Sequence, residues 1–201
     1  MWPFGEENLY ECMAETYIPL LNAISELYDE GIKAKLTVGI TPILAEQLND
    51  EHLKEGFVKY VDSRIAQVSK DLDRYPDPKV PHSQHLKYLA KYYFDWFSNI
   101  KDSFVNKYGM DLIAQFKKFQ ELGCIEITTS GATHGFSPLL ATDSNLNAQF
   151  KVGSDTTKRL FGKKACGCWL PECAYRQGYE YVGKDGKKHW RPAIEVTLQN
   201  N

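Results

Sequence analysis

Several signatures that would fix the class of this 201-residue chain at once are missing from it. It has no run of about 18 apolar residues, the length a helix needs to cross a bilayer, so no segment is expected to span a membrane. Its first residues, MWPFGEENLYE, lack the basic and apolar regions of a secretory leader, and a cytoplasmic chain is expected. Charge of one sign is missing too: 24 Lys and Arg stand against 26 Asp and Glu, interleaved along the chain, for a formal net charge of −2. Nucleic acid, which gathers on a basic field, is therefore not an expected partner. No glycine-rich phosphate loop of the form G-x-G-x-x-G or G-x-x-x-x-G-K-[ST] is present, and no G-x-S-x-G turn. Nucleotide chemistry and a Ser-His-Asp hydrolase lose their main support. The five Cys are odd in number, with Cys166 and Cys168 one residue apart, which suits reduced thiols better than a disulfide framework. Internal repeats, low-complexity tracts and linkers are absent as well.

What is present is the balance of a folding chain, with 43% hydrophobic and 25% charged residues, long enough for one core. Phe, Trp and Tyr make up 13%, a stock that serves a bulky core and also stacks on flat apolar faces such as sugar rings. Apolar positions at helical spacing predict a helix over 6–28, kinked near Pro19 and closed by Gly31. A β-rich run over 35–40 follows, and Thr41 and Pro42 then read as the N-cap and first position of the next helix. Helical spacing resumes over 53–72, is broken by YPDPKVP at 75–81, and returns over 83–108 and 112–119. Two further strands are predicted at 124–128 and 167–170, separated by a loop and a helix beginning after Asp143. A hairpin over 179–191 turns on a segment containing Asp185-Gly186, and a last apolar pattern starts at Pro192.

The connections between the strand candidates are long enough to be crossovers, so the strands should be parallel. Three parallel strands make a poor sheet for so much helix, and both ends of the pattern are abrupt. A segment of a larger barrel is therefore favoured over a small open α/β sheet. In either architecture functional groups collect where strands give way to loops. Glu172 follows the third strand directly, between Pro171 and Cys173, and either has a task or is salt-bridged there. Burial would raise its pKa and Arg176 would lower it. His134, in the glycine-flanked loop after the second strand, either bonds a substrate or satisfies its own loop. Cys166, Cys168, Cys173 and His134 are metal-ligating types, but C-x-C-x4-C is not a usual zinc spacing, and Cys166 and Cys168 should face inward as small hydrophobes. His82 and His85 read as a solvated turn. No metal is expected.

Five stretches carry a resemblance: WPFGEE at 2–7, ETYIPLL at 15–21, LTVGITP at 36–42 with AEQL at 45–48, ATHGF at 132–136, and WLPECAYR at 169–176. In this order they resemble glycoside hydrolase family 57, and within it the 1,4-α-glucan branching enzymes, over essentially the whole chain. The resemblance implies an α/β fold, a partial (β/α)7 barrel with parallel strands and long helical insertions, incomplete at both ends. Residues 1–201 would form a single partial catalytic domain. It also implies a retaining mechanism on an α-1,4-glucan without a cofactor, with Glu172 as nucleophile and His134 lining the donor-sugar site. Trp2 would be an aromatic beside the same cleft. Two of the family's parts are unmatched: the H-x-H-x-P-Y stretch that opens it and the acid/base aspartate of a later region. Asp143 and Asp155 are the nearest acids, but their context does not match that aspartate. The expected function is thus an α-glucan-active retaining glycosidase or transglycosylase of the branching type, as a fragment inactive alone. Hydrolysis, 4-α-glucanotransfer and a glucan-binding remnant using Trp2, Trp169 and Tyr175 are the alternatives, with metal-dependent deacetylation on a similar barrel as a chemical rival.

Overall fold

The computed structural model describes residues 5–75, 79 and 81–200. Along the chain run α1 (Glu6–Cys12), α2 (Ile18–Asp29), β1 (Leu36–Gly39), α3 (Pro42–Asn49), α4 (Glu51–Arg74), α5 (Ser83–Asp102), α6 (Leu112–Glu121), β2 (Ile125–Thr128), α7 (Asp143–Phe161), β3 (Tyr179–Val182), β4 (Lys188–Arg191) and α8 (Ile194–Gln199). They fall into two compact units, Met1–Ala34 with Leu48–Gln115, and Lys35–Gln47 with Phe116–Asn201.

The first unit is helical. The expected apolar stripes hold for α2 and α4, which bury Leu21 and Ile24 beside Ile18, and Phe57 and Val61, whereas α5 buries Ala90 and Ile100 and leaves Tyr93 of its aromatic face exposed. Phe57 meets Phe104 edge to face at 4.8 Å. Asp50 caps α4, its carboxylate accepting from the Leu53 N–H at 3.0 Å. The kink expected at Pro19 takes a different form. Pro19 has no N–H for the carbonyl four residues back, and the chain widens into a π-helical turn over Met13–Tyr17, where the Ile18 N–H reaches Met13 O. A second π-helical turn, Ser103–Lys107, ends the helix expected over 83–108. Across it Asn22 joins two elements, donating to Ser103 Oγ at 3.0 Å and accepting from Tyr108 Oη at 2.6 Å.

The second unit holds the strands. β1 and β2 pair in parallel, Leu36 opposite Ile125 and Gly39 opposite Thr128. β2 is the buried member, with Ile125 and Ile127 inward, whereas Leu36 of β1 is exposed. The third strand expected at 167–170 contracts to a single parallel bridge between Thr129 and Cys168. Trp169 N donates to Thr129 O at 2.9 Å and Thr129 N to Gly167 O at 3.0 Å. The next rung is taken by a side chain, since Ser130 Oγ donates to Trp169 O at 2.7 Å, and Pro171 then offers no N–H. Leu146 and Phe150 of α7 bury against Ile194 of α8, with Leu140, Cys168, Leu170 and Leu198 around them. Cys168 is half-buried against this cluster as expected, but Cys166 is exposed, because a strand of one rung does not impose a common face. β3 and β4 form the expected antiparallel hairpin. Among the described residues no helix is long and apolar enough to cross a membrane.

Candidate functional site

The site begins where β2 ends. Beyond Thr129 the chain turns through Ser130, Gly131 and Ala132 beneath α7, and the approach is close: a Cβ on Gly153 of that helix would lie 2.3 Å from Ser130 O. Glycine is required there for proximity rather than for its backbone freedom. Gln149, one turn earlier on α7, holds the same loop. Its backbone carbonyl accepts from Ala132 N at 3.0 Å, and its Oε1 accepts from Thr133 N at 2.9 Å and Thr133 Oγ1 at 3.2 Å. His134 follows with φ of 56°, a left-handed conformation that side chains seldom adopt, closed by its N–H on Gly131 O at 3.0 Å.

Glu172 arrives from the other side of Trp169. The segment Pro171–Cys173 makes a 3-10 turn in which Glu172 and Cys173 both have φ of 55°. Two consecutive non-glycine residues in the left-handed region mark a strained backbone held by its surroundings. The turn closes through Cys173 N on Leu170 O at 2.9 Å and Ala174 N on Pro171 O at 3.0 Å. It brings Glu172 Oε1 to 3.9 Å from His134 Nε2. The two residues singled out in the sequence thus meet, although 38 positions separate them (172 − 134).

The tautomer of His134 follows from its neighbours. Ser130 commits its hydroxyl hydrogen to Trp169 O at 2.7 Å, so its oxygen is left to accept from His134 Nδ1 at 3.4 Å. In the neutral ring Nε2 then presents a lone pair toward Glu172, and 3.9 Å is too long for a hydrogen bond between them. The Glu172 side chain is 72% exposed, so a substrate atom has open access to the carboxylate. Arg176, the expected cation beside Glu172, pairs instead with Asp143 at 3.7 Å. Exposed Trp169, Tyr175, Phe136 and Leu139 stand on the segments flanking the pair. A small cavity of about 60 Å³ lies at the ends of the strands, between Gly39, Ile40, Thr41, Thr129, Ser130 and Trp169.

Downstream of Glu172 the chain is tied to the hairpin and α8. Tyr175 Oη donates to Glu195 at 3.0 Å, a bond to a carboxylate that raises the phenol pKa. Arg176 Nη1 donates to Pro192 O at 3.0 Å, and Ile194 N to Arg176 O at 3.2 Å. Asp143 accepts from Arg191 Nε at 2.7 Å, which holds the guanidinium pKa above its usual value. Asp155 pairs with Lys151 at 2.7 Å on the exposed side of α7. Burial pushes the Cys168 thiol up to about 11. Among the described residues no three His, Cys, Asp or Glu side chains are grouped to hold a metal ion. Trp2 lies outside the described residues. Sequence reasoning missed Ser130, Gln149 and Gly153. The spacing of Gln149 and Gly153, four apart on one face of a helix, was a signal, but nothing local tied that face to the His134 loop.

The chain matches the family model described as glycosyl hydrolase family 57 over residues 3–190. It is 39% identical over 200 residues to the 1,4-alpha-glucan branching enzyme TK1436 of Thermococcus kodakarensis, covering 98% of this chain and 28% of that protein. Among solved structures it is similar to a GH57-type branching enzyme from Pyrococcus horikoshii, with a TM-score of 0.89 and 36% identity over 100% of this chain and 37% of that one. The alpha-amylase AmyC from Thermotoga maritima gives 0.79 and 32%, again over 100% of this chain and 34% of that one. The chain therefore spans about a third of the length of the relatives it matches. Strand, loop and turn hold Glu172 and His134 together within a match that runs almost from end to end, and the chain belongs to glycosyl hydrolase family 57.

Proposed function

We propose that the chain carries the nucleophile half of a retaining α-glucan site of the 1,4-α-glucan branching type, within one partial catalytic domain of a (β/α)7 barrel. The observation that supports this most is the meeting of Glu172 and His134 at the ends of neighbouring parallel segments, 3.9 Å apart, with the carboxylate open to solvent. In this reading a Glu172 oxygen bonds to the anomeric carbon of an α-1,4-linked glucosyl unit. The bond from that carbon to O4 of the next glucose breaks, and its electron pair leaves with O4, which takes a proton from an acid. The 6-hydroxyl of an acceptor glucan then attacks the anomeric carbon and surrenders its proton to the same group, and Glu172 departs as a carboxylate. His134 lines the donor sugar, its Nε2 accepting from or donating to a hydroxyl, and Trp2 offers an aromatic face to the same glucan. The second carboxyl group, which must stand about 5–5.5 Å from the first, belongs to the length of the relatives that this chain does not span.

A sugar fluoride separates the halves of this chemistry, because fluoride leaves without a proton. With 5-fluoro-α-maltosyl fluoride the expected result is a covalent adduct on Glu172, found by intact mass and peptide mapping and missing from Glu172→Gln. Labelling of the Gln variant at the wild-type rate refutes the assignment. With amylose the chain alone is expected to form no branch points, followed by iodine colour and branch content. The similarity to AmyC favours a second reading, hydrolysis or 4-α-glucanotransfer. The exposed Trp169 and Tyr175 favour a third, a glucan-binding surface without turnover, which titration calorimetry with maltooligosaccharides would register as heat in Glu172→Gln as well.

A further inference from the structure

The turn that carries Glu172 is closed by two hydrogen bonds of its own, yet those bonds do not require two consecutive left-handed residues. Pro171, buried, anchors its leading side, and the segment that follows anchors the other. Four residues on, Arg176 is largely buried: its Nη1 is spent on Pro192 O, its guanidinium lies 5.3 Å from the Tyr179 ring centre, and its Nε and Nη2 have no hydrogen-bond partner. A second guanidinium, that of Arg191, is buried beside it and bonded to Leu140 O at 2.7 Å. Among the described residues Asp143 is the one carboxylate within ion-pair reach of both, at 3.7 Å from Arg176 Nη2 and 2.7 Å from Arg191 Nε. With two of its nitrogens unbonded, the Arg176 side chain is held by its Nη1 bond to Pro192 O, by the Tyr179 ring and, on its remaining side, by the charge of Asp143. Asp143 itself is fixed in the first turn of α7, where a negative charge is favoured and where Thr142 caps the helix by accepting from Asn145 N at 3.2 Å.

We infer that Asp143 is a positioning residue for Glu172, acting through Arg176 to hold the strained turn in register with α7. The inference rests on the reading of Glu172 as the nucleophile. Without the carboxylate two buried guanidiniums face each other uncompensated, Arg176 turns toward solvent, and the turn relaxes.

Asp143→Asn keeps the shape and removes the charge. Its labelling by 5-fluoro-α-maltosyl fluoride is expected to lose about tenfold or more in the limiting rate, with the half-saturating concentration little changed, because misplacement of a reacting atom acts on the rate. Asp143→Glu restores part of the loss. Hydrogen exchange gives an independent reading: the Cys173 and Ala174 amides lose protection in Asp143→Asn while Leu146 and Phe150 of α7 keep theirs. Labelling at the wild-type rate with the turn still protected overturns the inference. Should Asp143→Asn fail to fold, Arg176→Lys, which keeps the charge and loses the fork, carries the same expectation and the same refutation. A wild-type chain that takes no label, beside a variant whose turn has lost protection, overturns the nucleophile reading and supports the brace. Protection retained overturns the brace whatever the label.

Discussion

Glu172 occupies a backbone conformation that its side chain does not favour, with φ of 55° and ψ of 26°. Asparagine tolerates that region far better, so Glu172→Asn is expected to stabilise the chain by about 0.5–1 kcal/mol in denaturant unfolding, while taking no label from the sugar fluoride. A loss of stability would show that the turn is not strained as described. At this scale much was legible in advance. Glu172 and His134 were singled out because each follows a strand, where functional groups of such folds collect, and because each stands in a motif of the family. Arg176 was misread as the neighbour of Glu172, because four positions in sequence say nothing of direction once the chain leaves a 3-10 turn for an extended segment. Ser130, which sets the His134 tautomer and ends the third strand, drew no notice, since its partner Trp169 lies 39 positions away.

Among the elements, α7 matters most to the site, because one of its faces carries both Gln149 and Gly153 against the loop of His134. Gly153→Ala would force a methyl to within 2.3 Å of Ser130 O, and the expected cost is about 1–3 kcal/mol, read from the thermal midpoint. Loss of Thr133 amide protection should accompany it, since that N–H is held by Gln149. Unchanged stability would mean that the loop has room to withdraw. Helices were the elements most readable from sequence, their stripes of apolar residues being long and regular. The π-helical turns were not, because a widened turn keeps the same residues on nearly the same face. The third strand was overcalled for a related reason: an apolar run shows that a segment is buried, whereas a ladder needs free backbone groups on both sides, and Ser130 and Pro171 remove them.

For the whole molecule, stability at high pH depends on tyrosines that are neutral in the fold. Burial pushes Tyr108 up to about 12 from a usual value of 10.0, with Glu26 adding to the effect, and burial raises Tyr17 likewise. A raised phenol pKa favours the folded state fully below pH 10, and the advantage is lost as the pH climbs from about 10 toward 12. Urea midpoints should therefore fall between pH 9 and pH 11.5, and less steeply in Tyr108→Phe; equal slopes would assign the loss elsewhere. The division into two compact units was not legible, because no linker marks it and two of its three boundaries fall inside α3 and α6. The family was legible, since its motifs are short, specific and ordered. One further consequence follows from β1. Leu36 N and Ile40 N both turn toward β2, so the alternation of a parallel ladder leaves Thr37 and Gly39 aiming their amides outward, with no strand beside them among the described residues. Such a row is adhesive: as the chain is concentrated, backbone of any origin that lies along it gains a ready-made template, and handling at high concentration becomes a contest between folding and self-association.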